Sequence, residues 1–270
     1  VIHSSTVAPP VAAAMAPALA FALWYEDGSE AALFEAMIAT ALAGGALLAV
    51  GSARKQELFQ REATAIVGLG WILAAAAGAL PFWFHGCFDS FADCYFESMS
   101  GFTTTGASVI APTARLPEGI ESLPRGLLFW RSFTHWLGGM GIIVLFVALL
   151  PFLGVGGRVL FRSETPGPVK DAMTPRVRET ARILWLIYVG FTAVETALLM
   201  LLGMDLHEAL CLAFGTLATG GYATRAASVG AFGTPIHLVI LLFMLVAATN
   251  FSLYYRFLRG DRRIFWKDPE

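Results

Sequence analysis

The chain has 270 residues, of which 57% are hydrophobic and 14% charged, with a mean hydropathy of +0.66 and a formal net charge of −2. An average soluble domain carries about 25% charged residues, so this composition argues against a water-soluble fold and makes the lipid bilayer the solvent and the first partner. Nothing in the net charge suggests nucleic acid, and none is expected as a partner.

Taken in order, apolar runs of roughly the 20 residues needed to cross a ~30 Å hydrocarbon layer lie at 7–25, 31–51, 63–84, 126–150, 182–202 and 236–255, which predicts six transmembrane helices. The first run lacks the basic start of a signal peptide and is interrupted by Pro9, Pro10 and Pro17; it is read as a membrane helix. Two shorter helical stretches, 89–102 and 205–217, fall in the length class of re-entrant or interfacial segments. Val1 stands where an initiator Met is expected, and the chain stops just after a basic stretch, the pattern of a processed or truncated piece.

Lys and Arg set the orientation. Arg54, Lys55 and Arg61, then Arg158, Arg162, Lys170, Arg176, Arg178 and Arg182, then Arg256, Arg259, Arg262, Arg263 and Lys267 alternate with loops nearly free of basic residues. The positive-inside rule makes these segments cytoplasmic, which puts both termini inside and both short helical stretches outside.

An internal repeat follows. Residues 63–150 and 182–255 both read as span, short helix, Gly-containing turn, span, with Gly106 and Gly220 standing 114 residues apart. Each unit carries its turn on the same side, so the repeats are parallel.

The turns read FTTTGAS at 102–108 and LATGGYAT at 217–224. A potassium ion in a bilayer must lose its water shell, and backbone carbonyls can replace it. Aiming successive carbonyls one way requires dihedrals that glycine alone accepts without steric cost. The C-terminal end of the preceding helix adds partial negative charge, which favours a cation. Irregular backbone at membrane depth is tolerated only where it lines protein or a water-filled cavity. Recurrence in two matched units sets these turns apart from ordinary surface loops.

The segments FESMSGFTTTGAS, FWRSFTHWLGGMGIIVLFVALLP, ETPGPVKDAMTPRVRETA and FGTLATGGYATRAASVGAF closely resemble the Trk/Ktr/HKT superfamily of potassium transporters, most of all its bacterial Trk-type uptake subunit, over nearly the whole chain. The resemblance implies an all-α, potassium-channel-like membrane fold: four helix–pore loop–helix repeats around one pore, preceded by an extra helical hairpin. Two repeats are present. The organisation is then 1–58 transmembrane hairpin, 59–152 first repeat, 153–180 cytoplasmic connecting loop, and 181–270 second repeat with a basic tail. By position, the family's filter maps to Thr104, Thr105, Gly106, Ala107 and Ser108, and to Ala218, Thr219, Gly220, Gly221 and Tyr222. The backbone carbonyls of Thr105, Gly106, Thr219 and Gly220 are the expected K+ ligands, and Gly at the central filter position goes with potassium in the family pattern. The resemblance further implies a bacterial inner-membrane location, a cytosolic nucleotide-binding regulatory partner and a homodimer. It also implies that the missing half of the pore, or a second copy, completes the filter. No cofactor is expected in this chain, and K+ is its cargo. A sodium-permeable relative, or a regulatory half without independent transport, is the alternative.

Several other residues carry expectations. Glu97 in the first short helix and Arg131 near the start of the following span are expected to pair and support the filter from behind. Glu195, mid-span, is read as pointing toward protein in a structural hydrogen-bonding role. His135 is read as a packed side chain rather than a proton relay, and Gly138, Gly139 and Gly141 as points of close helix approach. Asn250 and Ser252 either line the pore exit or bond across helices. The run GVGG at 154–157 lacks the strand–turn–helix setting of a nucleotide site, so any nucleotide dependence belongs to a partner. Cys87, Cys94 and Cys211 show no C-x-x-C or metal-ligand spacing and are expected as free buried thiols, with a Cys87–Cys94 pair on the outer face as the alternative. With neither a nucleophile–base pair nor a metal cluster in view, an enzyme is not expected.

Overall fold

Long apolar runs that leave no room for polar alternation can satisfy their backbone in lipid only as helix. The computed structural model, which describes residues 8–50, 60–153 and 173–258, is helical in every regular element among them. The elements are α1 (Ala8–Ala14), α2 (Ala16–Tyr25), α3 (Glu30–Val50), α4 (Gln60–His85), α5 (Phe91–Phe102), α6 (Arg125–Leu153), α7 (Met173–Leu201), α8 (Leu206–Leu217), α9 (Thr234–Ala248) and α10 (Phe251–Leu258). Short 3-10 turns, Gly119–Ser122 and Ser228–Ala231, precede α6 and α9.

Among the described residues, three helical stretches are long and apolar enough to cross a membrane: Glu30–Leu47, Val67–His85 and Ala181–Leu201. Pro10–Tyr25, Leu206–Leu217 and Thr234–Ala248 are shorter apolar helices. Most of the basic segments behind the orientation argument lie outside the described residues, namely Arg54, Lys55, Arg158, Arg162, Lys170, Arg259, Arg262, Arg263 and Lys267. The GVGG run and most of the connecting loop lie outside them too.

Two of the expected spans are interrupted. The first breaks at Met15, because Pro17 has no amide hydrogen for the ladder and the chain tightens to a bond from Met15 N to Ala12 O. The last breaks after Ala248, where Thr249 turns extended (φ −76, ψ 139) before the chain resumes as α10. Carbonyls at the break are bonded: Thr249 N reaches Val246 O at 3.3 Å, the Thr249 hydroxyl donates to Leu245 O at 3.0 Å and the Tyr254 hydroxyl to Val246 O at 2.9 Å.

Helix α6 is the wall shared by both repeats, packing on α5 and on α8. Its glycines permit this. A Cβ at Gly138 would overlap the Phe102 carbonyl at the end of α5, and one at Gly139 would come within 3.1 Å of Ala218 Cα at the end of α8. Gly141 faces the Trp71 ring of α4. Three turns earlier on α6, Trp130 is fully buried and its indole N–H donates to Gly78 O at 2.9 Å. The N-terminal hairpin is fastened to the same wall, since Asp27 Oδ2 accepts the Gly126 amide at 2.6 Å and so caps α6 from a distant loop.

Candidate functional site: two matched turns and the cluster behind them

Both short helices are built alike. Ser90 caps α5 by accepting from Asp93 N at 3.2 Å, and Asp205 caps α8 by accepting from Glu208 N at 2.7 Å. At their C-terminal ends, Thr105 N bonds Ser100 O as Gly220 N bonds Gly215 O, and Thr104 N bonds Gly101 O as Thr219 N bonds Thr216 O. Backbone dihedrals repeat in step: Thr104 (φ 53) matches Thr219 (φ 54), and Gly106 (φ 74) matches Gly221 (φ 85). The internal register is therefore 115 residues, from Thr104 to Thr219. This corrects the 114-residue pairing of the turn glycines: the counterpart of Gly106 is Gly221, and Gly220 stands where the first turn has Thr105.

A β-branched residue in the left-handed region is strained by about 1–3 kcal/mol and persists only where its surroundings dictate it. Two threonines in that state, at the same step of two repeats, mark a built feature.

The two turns meet. A Cβ at Gly106 would overlap the Gly220 carbonyl oxygen, so the glycine that bends the first turn lies directly against the backbone of the second. Thr105, Ala107, Ser108, Thr219 and Gly221 are exposed, Thr104, Gly106 and Gly220 are half-buried, and Ala218 is buried under the second turn.

Behind the turns lies a dense polar cluster. Arg131 Nε and Glu97 Oε1 pair at 2.6 Å with both side chains buried (3% and 0% exposed). The carboxylate of Glu97 also accepts from the Ser108 hydroxyl at 3.0 Å and the Val109 amide at 3.0 Å, which binds the segment leaving the first turn. Arg131 Nη1 donates to Ala223 O at 3.2 Å, which binds the segment leaving the second. Its guanidinium carbon lies 3.4 Å from the Tyr222 ring centroid. The Tyr222 hydroxyl crosses back, donating to Glu97 O at 2.9 Å and approaching Ala107 O at 3.3 Å. The expected Glu97–Arg131 pair is thus formed, and it joins the two repeats.

Glu195 points into protein as expected and is fully buried. Its carboxylate lies beside the Thr216 hydroxyl, which donates to Leu212 O at 2.9 Å. Asn250 stands at the break between α9 and α10, and the Ser252 side chain is outside what is described. Cys87, Cys94 and Cys211 are free and buried. Sequence reasoning counted Tyr222 and Ser108 as filter positions only. Both tie the turns to the cluster, and the signal for this was the buried charge pair, which needs further polar partners.

A family model described as "TrkH: Cation transport protein" matches residues 29–267. The Trk system potassium uptake protein TrkH of Escherichia coli (strain K12) is 43% identical over 253 residues, covering 92% of this chain and 51% of that protein. The Trk system potassium uptake protein TrkG of the same organism is 37% identical over 244 residues, covering 89% and 49%. The crystal structure of the potassium transporter TrkH from Vibrio parahaemolyticus matches with a TM-score of 0.84 at 35% identity, over 98% of this chain and 53% of that one. The chain spans about half the length of the curated relatives it matches.

Proposed function

This chain belongs to the TrkH family of cation transport proteins, a family of membrane transporters rather than enzymes, and from that membership we propose that it supplies two of the four loops of a potassium-uptake pore. The observation that carries this reading is the meeting of two turns with matching left-handed Thr and Gly residues. Backbone carbonyls of Thr105, Gly106, Thr219 and Gly220 replace the water shell of K+, with Thr104, Ala107, Ala218 and Gly221 holding the path of the chain. In the 115-residue register, Gly106 and Gly221 share the step that the family pattern links to potassium. The C-terminal ends of α5 and α8 point at the turns with about half a negative charge each. Glu97 and Arg131 brace both turns from behind. The membrane potential drives the ion, worth about 2.3 kcal/mol per charge per 100 mV, and no cofactor in this chain is needed.

On this reading the six apolar runs span the bacterial inner membrane, α5 and α8 are re-entrant, and both termini face the cytoplasm. The exposed edges at Thr105, Ala107, Thr219 and Gly221 are where further loops complete the ring, supplied by the remaining half of the pore or a second copy. A cytosolic nucleotide-binding subunit and a homodimeric assembly follow from family membership. Coverage of only half of each relative favours a second reading, in which this chain is a half-transporter that conducts only when completed.

The test is potassium and sodium flux into liposomes by the protein and by Gly106→Ser and Gly221→Ser. Both substitutions put a side chain on a positive-φ residue, and both are expected to cut potassium selectivity at least tenfold. Selectivity that survives both changes removes the filter assignment, whereas an inert wild-type chain supports the half-transporter reading.

A further inference from the structure

We infer that His135 is a positioning residue for the filter: with Arg131 it forms a pincer that grips Tyr222 and fixes where the Gly220 carbonyl sits. The inference rests on the filter reading above and adds a part to it.

Arg131 and His135 are four residues apart on α6, so their side chains rise from one face of the helix. The His135 ring stacks on Tyr222 with centroids 3.9 Å apart at 15°, while the Arg131 guanidinium carbon is 3.4 Å from the same centroid. Two groups so close to one centroid cannot share a face of the ring without overlapping. Tyr222 is therefore held between them, imidazole on one side and guanidinium on the other. Its hydroxyl is pinned at the far end to Glu97 O and Ala107 O of the first repeat. The ring has little freedom left.

The edge of the imidazole closes on the filter backbone itself. A Cβ at Gly220 would collide with three atoms of the His135 ring. Gly220 is the residue whose carbonyl presses against Gly106, so the path from α6 through His135 to the contact between the two turns is a single unbroken line of packed atoms. Gly220 has no positive φ to explain its lack of a side chain, and the imidazole supplies that explanation.

His135 acts here by its flat shape. It is fully buried with the Ser100 backbone beside it, and neither ring nitrogen meets the geometry of a hydrogen bond among the described residues. A planar group of similar reach can then take its place, and a small one cannot.

The experiment compares potassium and sodium flux in liposomes for the wild type, His135→Gln, His135→Ala, Gly220→Ala and the double variant Gly220→Ala with His135→Ala. Gly45→Ala, at a helical position with nothing within 4 Å, serves as the folding control, with flux and selectivity unchanged. His135→Gln, whose amide plane can lie on Tyr222, is expected to keep potassium selectivity within twofold. His135→Ala and Gly220→Ala are each expected to lower the potassium-over-sodium ratio about tenfold. The double variant, in which the new methyl occupies space the ring has vacated, is expected to regain most of it. Simple destabilisation predicts the opposite, with the double variant worse than either parent, and that result overturns the pincer. Selectivity unchanged in His135→Ala, while Gly106→Ser abolishes it, also overturns the pincer and leaves the filter standing. Where the wild-type chain alone passes no potassium, the same variants are compared in the pore completed by the remaining half, and a completed wild-type pore that passes no potassium removes the filter reading and this inference together.

Discussion

Replacing Arg131 by Met removes the guanidinium and keeps most of its length. Three partners lose something at once: the Glu97 carboxylate its cation at 2.6 Å, Ala223 O its donor at 3.2 Å, and the Tyr222 ring the charge 3.4 Å from its centroid. Ser108 and Val109 still donate to Glu97, which offsets part of the cost. Removing one member of a buried pair costs about 3–5 kcal/mol, because the other charge is left uncompensated in a low-dielectric setting. The value expected for Arg131→Met is about 4 kcal/mol, and Glu97→Gln falls in the same range. Removing both charges together leaves no stranded ion, so the double variant Glu97→Gln with Arg131→Met costs less than the singles combined, with a coupling of roughly 2–3 kcal/mol. Lys cannot substitute, since a point charge lacks the fork that reaches Glu97 and Ala223 together and the plane that stacks on Tyr222. The assay is equilibrium unfolding in mixed micelles followed by tryptophan fluorescence, analysed as a double-mutant cycle. Single losses under about 1 kcal/mol, the level of an exposed ion pair, or strictly additive losses, refute this account of the cluster.

Other parts of the structure are open to similar tests. Gly139→Ala puts a methyl 2.8 Å from the Tyr188 hydroxyl and 3.1 Å from Ala218, and overpacking there is expected to cost about 1–3 kcal/mol. Gly45→Ala, at a helical position with nothing within 4 Å, gains roughly 0.5–1 kcal/mol instead; the opposite order in thermal unfolding contradicts the packing described. Asp27→Ala removes the carboxylate that accepts from Gly126 N and Ser29 N, with an expected loss of about 1–2 kcal/mol and faster hydrogen exchange at the start of α6. Burial, reinforced by neighbouring Cys94, pushes the Cys87 thiol up to about 12. It stays protonated from pH 7 to 9, so maleimide is expected to label it only after unfolding, and rapid labelling of native protein between those pH values speaks against the burial.

Much of this was readable in the residues themselves. Apolar runs located the helices, because a backbone in lipid has few other options, and Glu97 and Arg131 declared their pairing through the cost of leaving either alone. The register of the repeat was harder to read. Gly220 and Gly221 are adjacent and identical in composition, and only the positive φ of Gly221, together with the bond from Gly220 N to Gly215 O, tells which one matches Gly106. The break after Ala248 was hidden because Thr249 and Asn250 carry no backbone signal as strong as Pro or Gly, and the repair by Tyr254 depends on a side chain eight residues from the carbonyl it serves. Glu195 declared its burial through its place in an apolar run, but nothing in the residues named the Thr216 hydroxyl as its neighbour.

The bond from the Tyr222 hydroxyl to Glu97 O has a consequence for heredity. Once an aromatic from one unit rests between an arginine and a histidine beside the other, and reaches across to that unit's main chain, neither unit can be swapped for a copy of its sibling. Chimeras that repeat the first unit twice place Ala107 where Tyr222 belongs and leave the arginine facing an empty slot. The two halves of this chain are, in that sense, no longer interchangeable parts.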